Sequence, residues 1–414
     1  MAAENLGRKA PPASDAPLAE GAVVSAATDA VKDGAKWASA PTSYDAILLA
    51  SFGGPEGQDD VIPFLRNVTA GRGIPDARLE EVAVHYRAHG GVSPINEQNR
   101  ELLAALEAEI ARRGINLPVY WGNRNWGPYV VDAVHAAHEA GATKLLGLAT
   151  SAYSSYSSCR QYREDFADAL EASSLQGVVE IDKVRPYFDH PGFVEPFVEG
   201  LVDAVRDLAQ GSDAFGAEDI EVLFTTHSVP MSDAAKSGPA ELGYGEGGAY
   251  FAQHMAVSEV VIAQAQERLA EAGLDLPLHW QLVFQSRSGP PSQPWLEPDI
   301  NDVIEELPAA GRRAVIVVPI GFVSDHMEVL WDLDNEARES AETAGLAFRR
   351  TPTPGVHPAY VAGLVDLLLE RINGVPADER EACTDLGPAF DVCRAGCCEN
   401  ERLGFRPAVA GLKP

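Results

Sequence analysis

The sequence predicts an α/β fold of two similar doubly wound, Rossmann-like domains, each built on a parallel four-stranded sheet, with the active-site cleft between them. Three observations predict it. The chain has 414 residues, more than one hydrophobic core usually serves. Short apolar runs alternate with longer helical stretches, and that alternation occurs twice, once in each half. Ligands of such folds bind beyond the carboxyl ends of the strands, so the residues that follow each apolar run are the first candidates for chemistry.

Residues 1–42 are rich in Ala, Pro, Ser and Asp with almost no large apolar side chains. They cannot bury enough surface to offset ordering entropy and are predicted to be a disordered tail. From Tyr44 the character changes, because 46–50 is a short apolar run that ends in Gly53-Gly54-Pro55, a buried strand leading into a functional loop. Runs at 118–121, 144–150 and 180–184 complete a first domain over 43–210. Asp189-His190-Pro191 introduces an amphipathic helix over 193–209, and the polar stretch 211–216 marks the boundary. The second domain, 211–375, repeats the pattern with runs at 221–226, 279–285, 314–320 and 348–351. Residues 376–414 form a cysteine-containing extension.

A hydrophobic fraction of 46% with 22% charged residues describes a soluble globular chain. No apolar run approaches the roughly 20 residues that span a bilayer, and no secretory pattern opens the sequence, so a cytoplasmic location is expected. The 32 basic and 61 acidic residues give a net charge of -29, which repels phosphate backbones and excludes nucleic acid as a partner. Such a surface is ordinary solvation, and it also suits a protein that handles cations. Of five cysteines, Cys159 stands alone while Cys383, Cys393, Cys397 and Cys398 crowd the C-terminus. In a cytosolic chain that points to thiolate ligation of a metal or iron–sulfur centre rather than a disulfide framework.

Three motifs end strands. The run 221–226 leads into His227-Ser228-Val229-Pro230, where a neutral imidazole can accept a proton or bind a metal, or be a histidine satisfied at a strand end. The run 314–320 leads to a helix capped by Ser324 or Asp325, on which Glu328, Asp332 and Glu336 recur every four residues with no base between them. An α-helix would stack these carboxylates along one face, a ladder for a hard divalent cation. Chance spacing in an acidic chain accounts for the pattern equally well. The run 279–285 leads to Ser286-Arg287-Ser288-Gly289-Pro290 and on to Trp295, offering a guanidinium for a carboxylate and a broad face for a flat ligand. Ser93 and Asn96, and Asn123 and Arg124, lie in similar polar loops of the first half, where ordinary turns would use the same residues.

Together these residues resemble the ferrochelatase family: His-Ser-x-Pro at 227–230, Ser-Asp-His-x-Glu at 324–328, Gly-Gly-Pro after the first strand, and Gln-Ser-Arg-x-Gly-Pro followed by Pro-Trp-Leu at 285–296, in the family's order over about 44–375. The resemblance implies insertion of ferrous iron, as substrate, into a porphyrin held between two doubly wound domains. It places His227 and Glu328 at the insertion centre, Asp332 and Glu336 on the acidic path, and Asp325 and His326 as residues that orient the pair. Two pyrrole protons must leave as iron sheds its water, so a base near the ring and oxygen ligands near the metal are the types required. Where some members carry Tyr or Met before the Gly-Gly-Pro loop this chain has Phe52, which has no ligand atom and is expected to contact the porphyrin face.

Some members, actinobacterial ones among them, resemble this chain in pairing one internal cysteine with a C-terminal group that holds a 2Fe–2S cluster. The resemblance implies Cys159, Cys383, Cys393 and Cys398 as ligands, with Cys397 spare because adjacent side chains point apart. Likeness to the same members implies coproporphyrin III, the tetrapropionate, over protoporphyrin IX, with Ser93, Asn96, Asn123, Arg124, Ser228 and Arg287 as propionate donors. Transient contact with neighbouring haem-pathway enzymes is implied too. The competing readings are a protoporphyrin IX ferrochelatase, a chelatase for cobalt or nickel, and a non-enzymatic haem or iron–sulfur sensor.

Overall fold

The computed structural model describes residues 42–71, 73–210, 214–289, 292–394, 396–399 and 406–410. The expected tail lies outside the described residues except for Thr42. Two four-stranded parallel sheets organise the rest. The first contains β1 (Ala46–Ser51), β2 (Val119–Asn123), β3 (Lys144–Ala149) and β4 (Glu180–Lys183) in the order β2-β1-β3-β4. The second contains β5 (Ile220–His227), β6 (His279–Gln285), β7 (Ala314–Val318) and β8 (Ala347–Arg350) in the order β6-β5-β7-β8. The second order is the first transposed, as the twofold repeat in the sequence implies. All six strand pairings are parallel.

Central strands are apolar on both sides because both faces are covered. Along β1, Ile47 and Leu49 enter one core with residues of helices Ile95–Arg112 and Pro191–Gln210, while Ala46, Leu48 and Ala50 enter another with helices Val130–Glu139 and Gln161–Ala172. In the second half, Val222, Phe224, Ile316 and Val318 join the first of these cores, whereas Leu223, Val315 and Val317 face a third. The inner faces of both sheets therefore share one continuous apolar core, filled by helices Pro191–Gln210, Gly248–Glu271 and Pro358–Asn373. Among the described residues no helix is long and apolar enough to cross a membrane.

The extension after residue 375 is held by buried charge rather than by regular structure. Asp391 accepts from Arg380 at 2.9 and 2.8 Å and from Arg371 at 3.2 Å, and Arg371 also donates to Asp182 on β4 at 2.8 Å. Arg185 spans Asp189 (2.7 Å) and Glu370 (2.8 Å). Residues 406–410 return to the Gln161–Ala172 helix, where Arg163 donates to Ala410 O at 3.2 Å. The extension thus lies beside Cys159, which occupies the short π-turn Tyr156–Arg160 just before that helix.

Candidate active site

The carboxyl ends of the two sheets face each other. Tyr153, beyond β3, donates its hydroxyl to Ile320 O beyond β7 at 3.0 Å, and Gln98 accepts from the Asp325 N–H at 2.8 Å. Close approach explains several glycines of the motifs. A Cβ on Gly321 would lie 2.0 Å from Thr226 Oγ1, and one on Gly289 2.4 Å from Trp295 Nε1.

His227 ends β5. Its Nδ1 makes a short contact with Ser228 O, and because a carbonyl only accepts, Nδ1 carries a proton, which in the neutral ring leaves the lone pair on Nε2. Nε2 lies 3.7 Å from Glu328 Oε2. The structure therefore brings together, from two different strand ends, the two residues that the sequence motifs single out. Glu328 is held from behind: its N–H donates to Nδ1 of His326 at 3.2 Å, so His326, not Ser324 or Asp325, caps the turn. Asp325 is instead bound by Arg350 at 3.2 Å and by Thr353 at 3.0 Å, with Arg350 also pairing Asp334. It anchors the loop. Burial pushes the His326 imidazole down, opposed by the Glu328 carboxylate.

The carboxylate ladder is present, but not on the expected α-helix. After the turn Met327–Val329 the chain forms a π-helix over Leu330–Ala337. On an α-helix a four-residue step advances about 40° beyond a full turn, so three carboxylates would drift around the axis. Only Asp332 and Glu336 lie on the π-segment, with Glu328 on the turn before it, and π-segments are frequent at functional sites. Asp332, in the middle, accepts from Gln285 Nε2 at 3.3 Å and from the Ser286 hydroxyl at shorter range. Ser286 pays about 1–2 kcal/mol for its left-handed backbone, φ 63°. Burial first, and then the Glu328 charge, push the Asp332 carboxyl up to about 7. Glu328 and Glu336 are exposed.

The remaining expected contacts divide by what their polar groups already do. Asn96 and Asn123 are buried, donating to Gly54 O at 3.1 Å and to Gly127 O at 3.2 Å. Ser228 donates to Leu296 O at 2.8 Å, and Ser93 is buried against Gly54. Arg287 is exposed beside Glu297 at 3.3 Å. Arg124 pairs with Asp165 at 2.5 Å and stacks on Tyr162, yet its Nη2 is buried without a partner among the described residues, and so is Trp295 Nε1. Phe52 is 38% exposed and meets Phe64 edge-on.

This site can be set beside known proteins. The Ferrochelatase family profile matches residues 44–372. The chain belongs to the ferrochelatase family. It is 63% identical over 394 residues to the coproporphyrin III ferrochelatase of Leifsonia xyli subsp. xyli, covering 94% of this chain and 99% of that protein. The coproporphyrin III ferrochelatases of Tropheryma whipplei (strain Twist) and Streptomyces griseus subsp. griseus are 54% and 53% identical, each over 90% of this chain and over 93% and 97% of their own lengths.

In this ferrochelatase the C-terminal thiols converge. Cys393, Cys397 and Cys398 share one buried cluster, with Cys397 Sγ 3.7 Å from Cys398 Sγ. The expected divergence of these neighbours fails because Cys398 takes φ 57°, which breaks the alternation that turns adjacent side chains to opposite sides. Gly238 N–H donates to Cys398 Sγ at 3.2 Å. A hydrogen bond with Cys397, followed by the guanidiniums of Arg163 and Arg160, draws the Cys393 thiol below the usual cysteine range, opposed by its burial. Cys159 is buried, and both it and Cys393 act on the buried Lys183 ammonium. The half-buried Cys383 donates to Asp189 O at 3.0 Å. The gathered thiols of Cys393, Cys397 and Cys398 and an N–H···S bond are donor chemistry that fits an iron–sulfur cluster.

Sequence reasoning missed the residues that reach the ladder from the first half. Helix Asp76–Ala88 brings His85 against Trp331, and Tyr86 close enough to Glu328 and Asp332 that burial and then those carboxylates raise its phenol well above its usual range. Two histidines four apart, His85 and His89, were the only available signal.

Proposed function

We propose that this chain inserts Fe2+ into coproporphyrin III, releasing two protons and giving coproheme. The observation that carries the chemistry is the basic Nε2 of His227, with its tautomer fixed at Nδ1, 3.7 Å from Glu328 at the head of the ladder. The relatives' names support the substrate. In this reading His227 Nε2 takes a pyrrole proton, and Glu328 stabilises the resulting imidazolium or delivers iron. The pair is one-third to half exposed, so that stabilisation is on the order of 1 kcal/mol, a fewfold effect. Positioning therefore matters more than charge strength. Asp332 and Glu336 supply oxygens to the incoming cation. We assign to the propionates the buried donors that have no partner among the described residues, Arg124 Nη2 and Trp295 Nε1, each of which costs about 1–3 kcal/mol while unsatisfied. Phe52 offers apolar surface to the ring. A cytoplasmic site of action, with passing contacts to enzymes on either side in haem synthesis, belongs to the same reading.

A 2Fe–2S cluster held by Cys159, Cys383, Cys393 and Cys398 is part of this proposal. Its support is the buried gathering of Cys393 with its neighbours and the Gly238 bond to Cys398, with Cys397 as the neighbouring thiol. When bound, a cluster supplies one-electron redox chemistry and ties the extension to the Cys159 turn. Iron and sulfide content of single Cys→Ser variants tests the ligand set: loss in each of the four and retention in Cys397→Ser support it, and retention in any of the four overturns it. For the activity, anaerobic mixing of protein, Fe2+ and coproporphyrin III is expected to yield the iron porphyrin by mass, and Glu328→Gln to abolish that yield. No metallation by the wild type, or full metallation by the variant, would overturn the assignment.

A further inference from the structure

Helices Val61–Val68 and Asp76–Ala88 form an arm with its own small core of Val61, Phe64, Leu65, Leu79 and Ala83. The arm reaches the second half at the indole of Trp331, with Tyr86 beside the ladder. The His85 ring stacks on Trp331 with centroids 4.0 Å apart and planes 7° apart, and His89 meets the same indole edge-on at 6.1 Å. The His89 ring is held to the same helix, its Nδ1 donating to the backbone carbonyl of His85 at 3.2 Å. On its other side, Trp331 Nε1 donates to Glu336 Oε1 at 2.8 Å. Positions 331 and 336 are five apart, which on an α-helix would place them about 140° apart around the axis. On the π-helix Leu330–Ala337 five residues are close to one turn, and the indole comes to lie beneath the carboxylate.

We propose that the stack of His85 on Trp331 is a positioning device for iron capture: it holds Glu336 in one orientation at the outer end of the ladder. The inference rests on the reading of the ladder as the route of the metal. An indole N–H can only donate, so Trp331 ligates nothing. It occupies Oε1, leaves Oε2 to a cation, and removes rotamers that an exposed glutamate would otherwise have to give up on binding. His85 supplies the second wall, so the outer carboxylate is set by residues of both halves.

Trp331→Phe keeps an aromatic ring against His85 and deletes the N–H. Steady-state metallation of coproporphyrin III under anaerobic conditions, varying Fe2+ and porphyrin separately, tests the inference. The expected result is a rise of about three- to tenfold in KM for Fe2+, the worth of one hydrogen bond to a carboxylate at a wet site, with kcat and the porphyrin KM within twofold of wild type. His85→Ala is expected to move KM in the same direction. In a Glu336→Gln background Trp331→Phe should add nothing further. An unchanged Fe2+ KM, equal rises for iron and porphyrin, or an undiminished effect in the Glu336→Gln background would overturn the inference while the proposed function stood. A wild type that metallates no porphyrin would instead remove the proposed function, and the inference with it.

Discussion

The most informative perturbation is pH, because Asp332 occupies the middle of the ladder with a carboxyl pushed up to about 7, first by burial and then by Glu328. A proton and a cation compete for the same oxygens. The apparent affinity for iron should then scale with the deprotonated fraction. For a group titrating at about 7, that fraction is about 9% at pH 6 and about 91% at pH 8, so KM for Fe2+ should fall about tenfold across this interval. The porphyrin KM should not follow. Initial rates measured anaerobically in non-chelating buffers at pH 6, 7 and 8 give the curve. Asp332→Asn should flatten it. Glu336→Gln, which removes a charge that helps to hold the Asp332 proton, should shift it to lower pH. A tenfold dependence that survives in Asp332→Asn would refute the reasoning and move the titration to another group.

The same residue makes a stability prediction of definite sign. Its folded pKa is raised from 3.8 to about 7, so the folded state binds this proton more tightly, and stability is lost as pH rises through that window. The full cost is on the order of 4 kcal/mol at 1.36 kcal/mol per unit. Asp332→Asn should therefore raise the melting temperature at pH 8 and leave it nearly unchanged at pH 4. His227→Ala should lower kcat by about a hundredfold or more, the usual worth of a general base, while fluorescence quenching still reports porphyrin binding. Asp391→Ala leaves Arg371 and Arg380 buried without their shared carboxylate, and urea titration should show a loss of about 3–5 kcal/mol.

The central strands were legible because they are buried on both faces and read as apolar runs, and the strand–helix alternation located the more polar edge strands such as Glu180–Lys183 and Ala347–Arg350; all eight were found within a few residues. His227 was legible because it directly follows such a run, and Glu328 because its motif lies in the loop and turn after another. Less visible was anything decided by backbone conformation or by contacts between distant segments. Nothing in the residues 330–337 distinguishes a π-helix from an α-helix, since the two differ in backbone hydrogen bonding rather than in the side chains they admit. The fold of Cys397 onto Cys398 depends on one positive φ that a cysteine rarely adopts. Asn96 and Asn123 are the residue types expected of ligand contacts, but the close approach of Gly53 and Gly54 to Asn123 and Ser93 makes those loops mutually packed, with the amides spent on backbone carbonyls. The pairing of His85 with Trp331 joins positions 246 residues apart across the cleft.

The central claim is a porphyrin preference joined to a metal-insertion chemistry, and one measurement addresses both: kcat/KM of the wild-type protein for coproporphyrin III and for protoporphyrin IX, with Fe2+, without oxygen and without detergent bias. The account predicts turnover with both substrates measurable or only the first, and in either case a clear preference for coproporphyrin III. A preference for protoporphyrin IX would contradict the substrate assignment, and binding of either porphyrin with no metallation would contradict the chemistry itself.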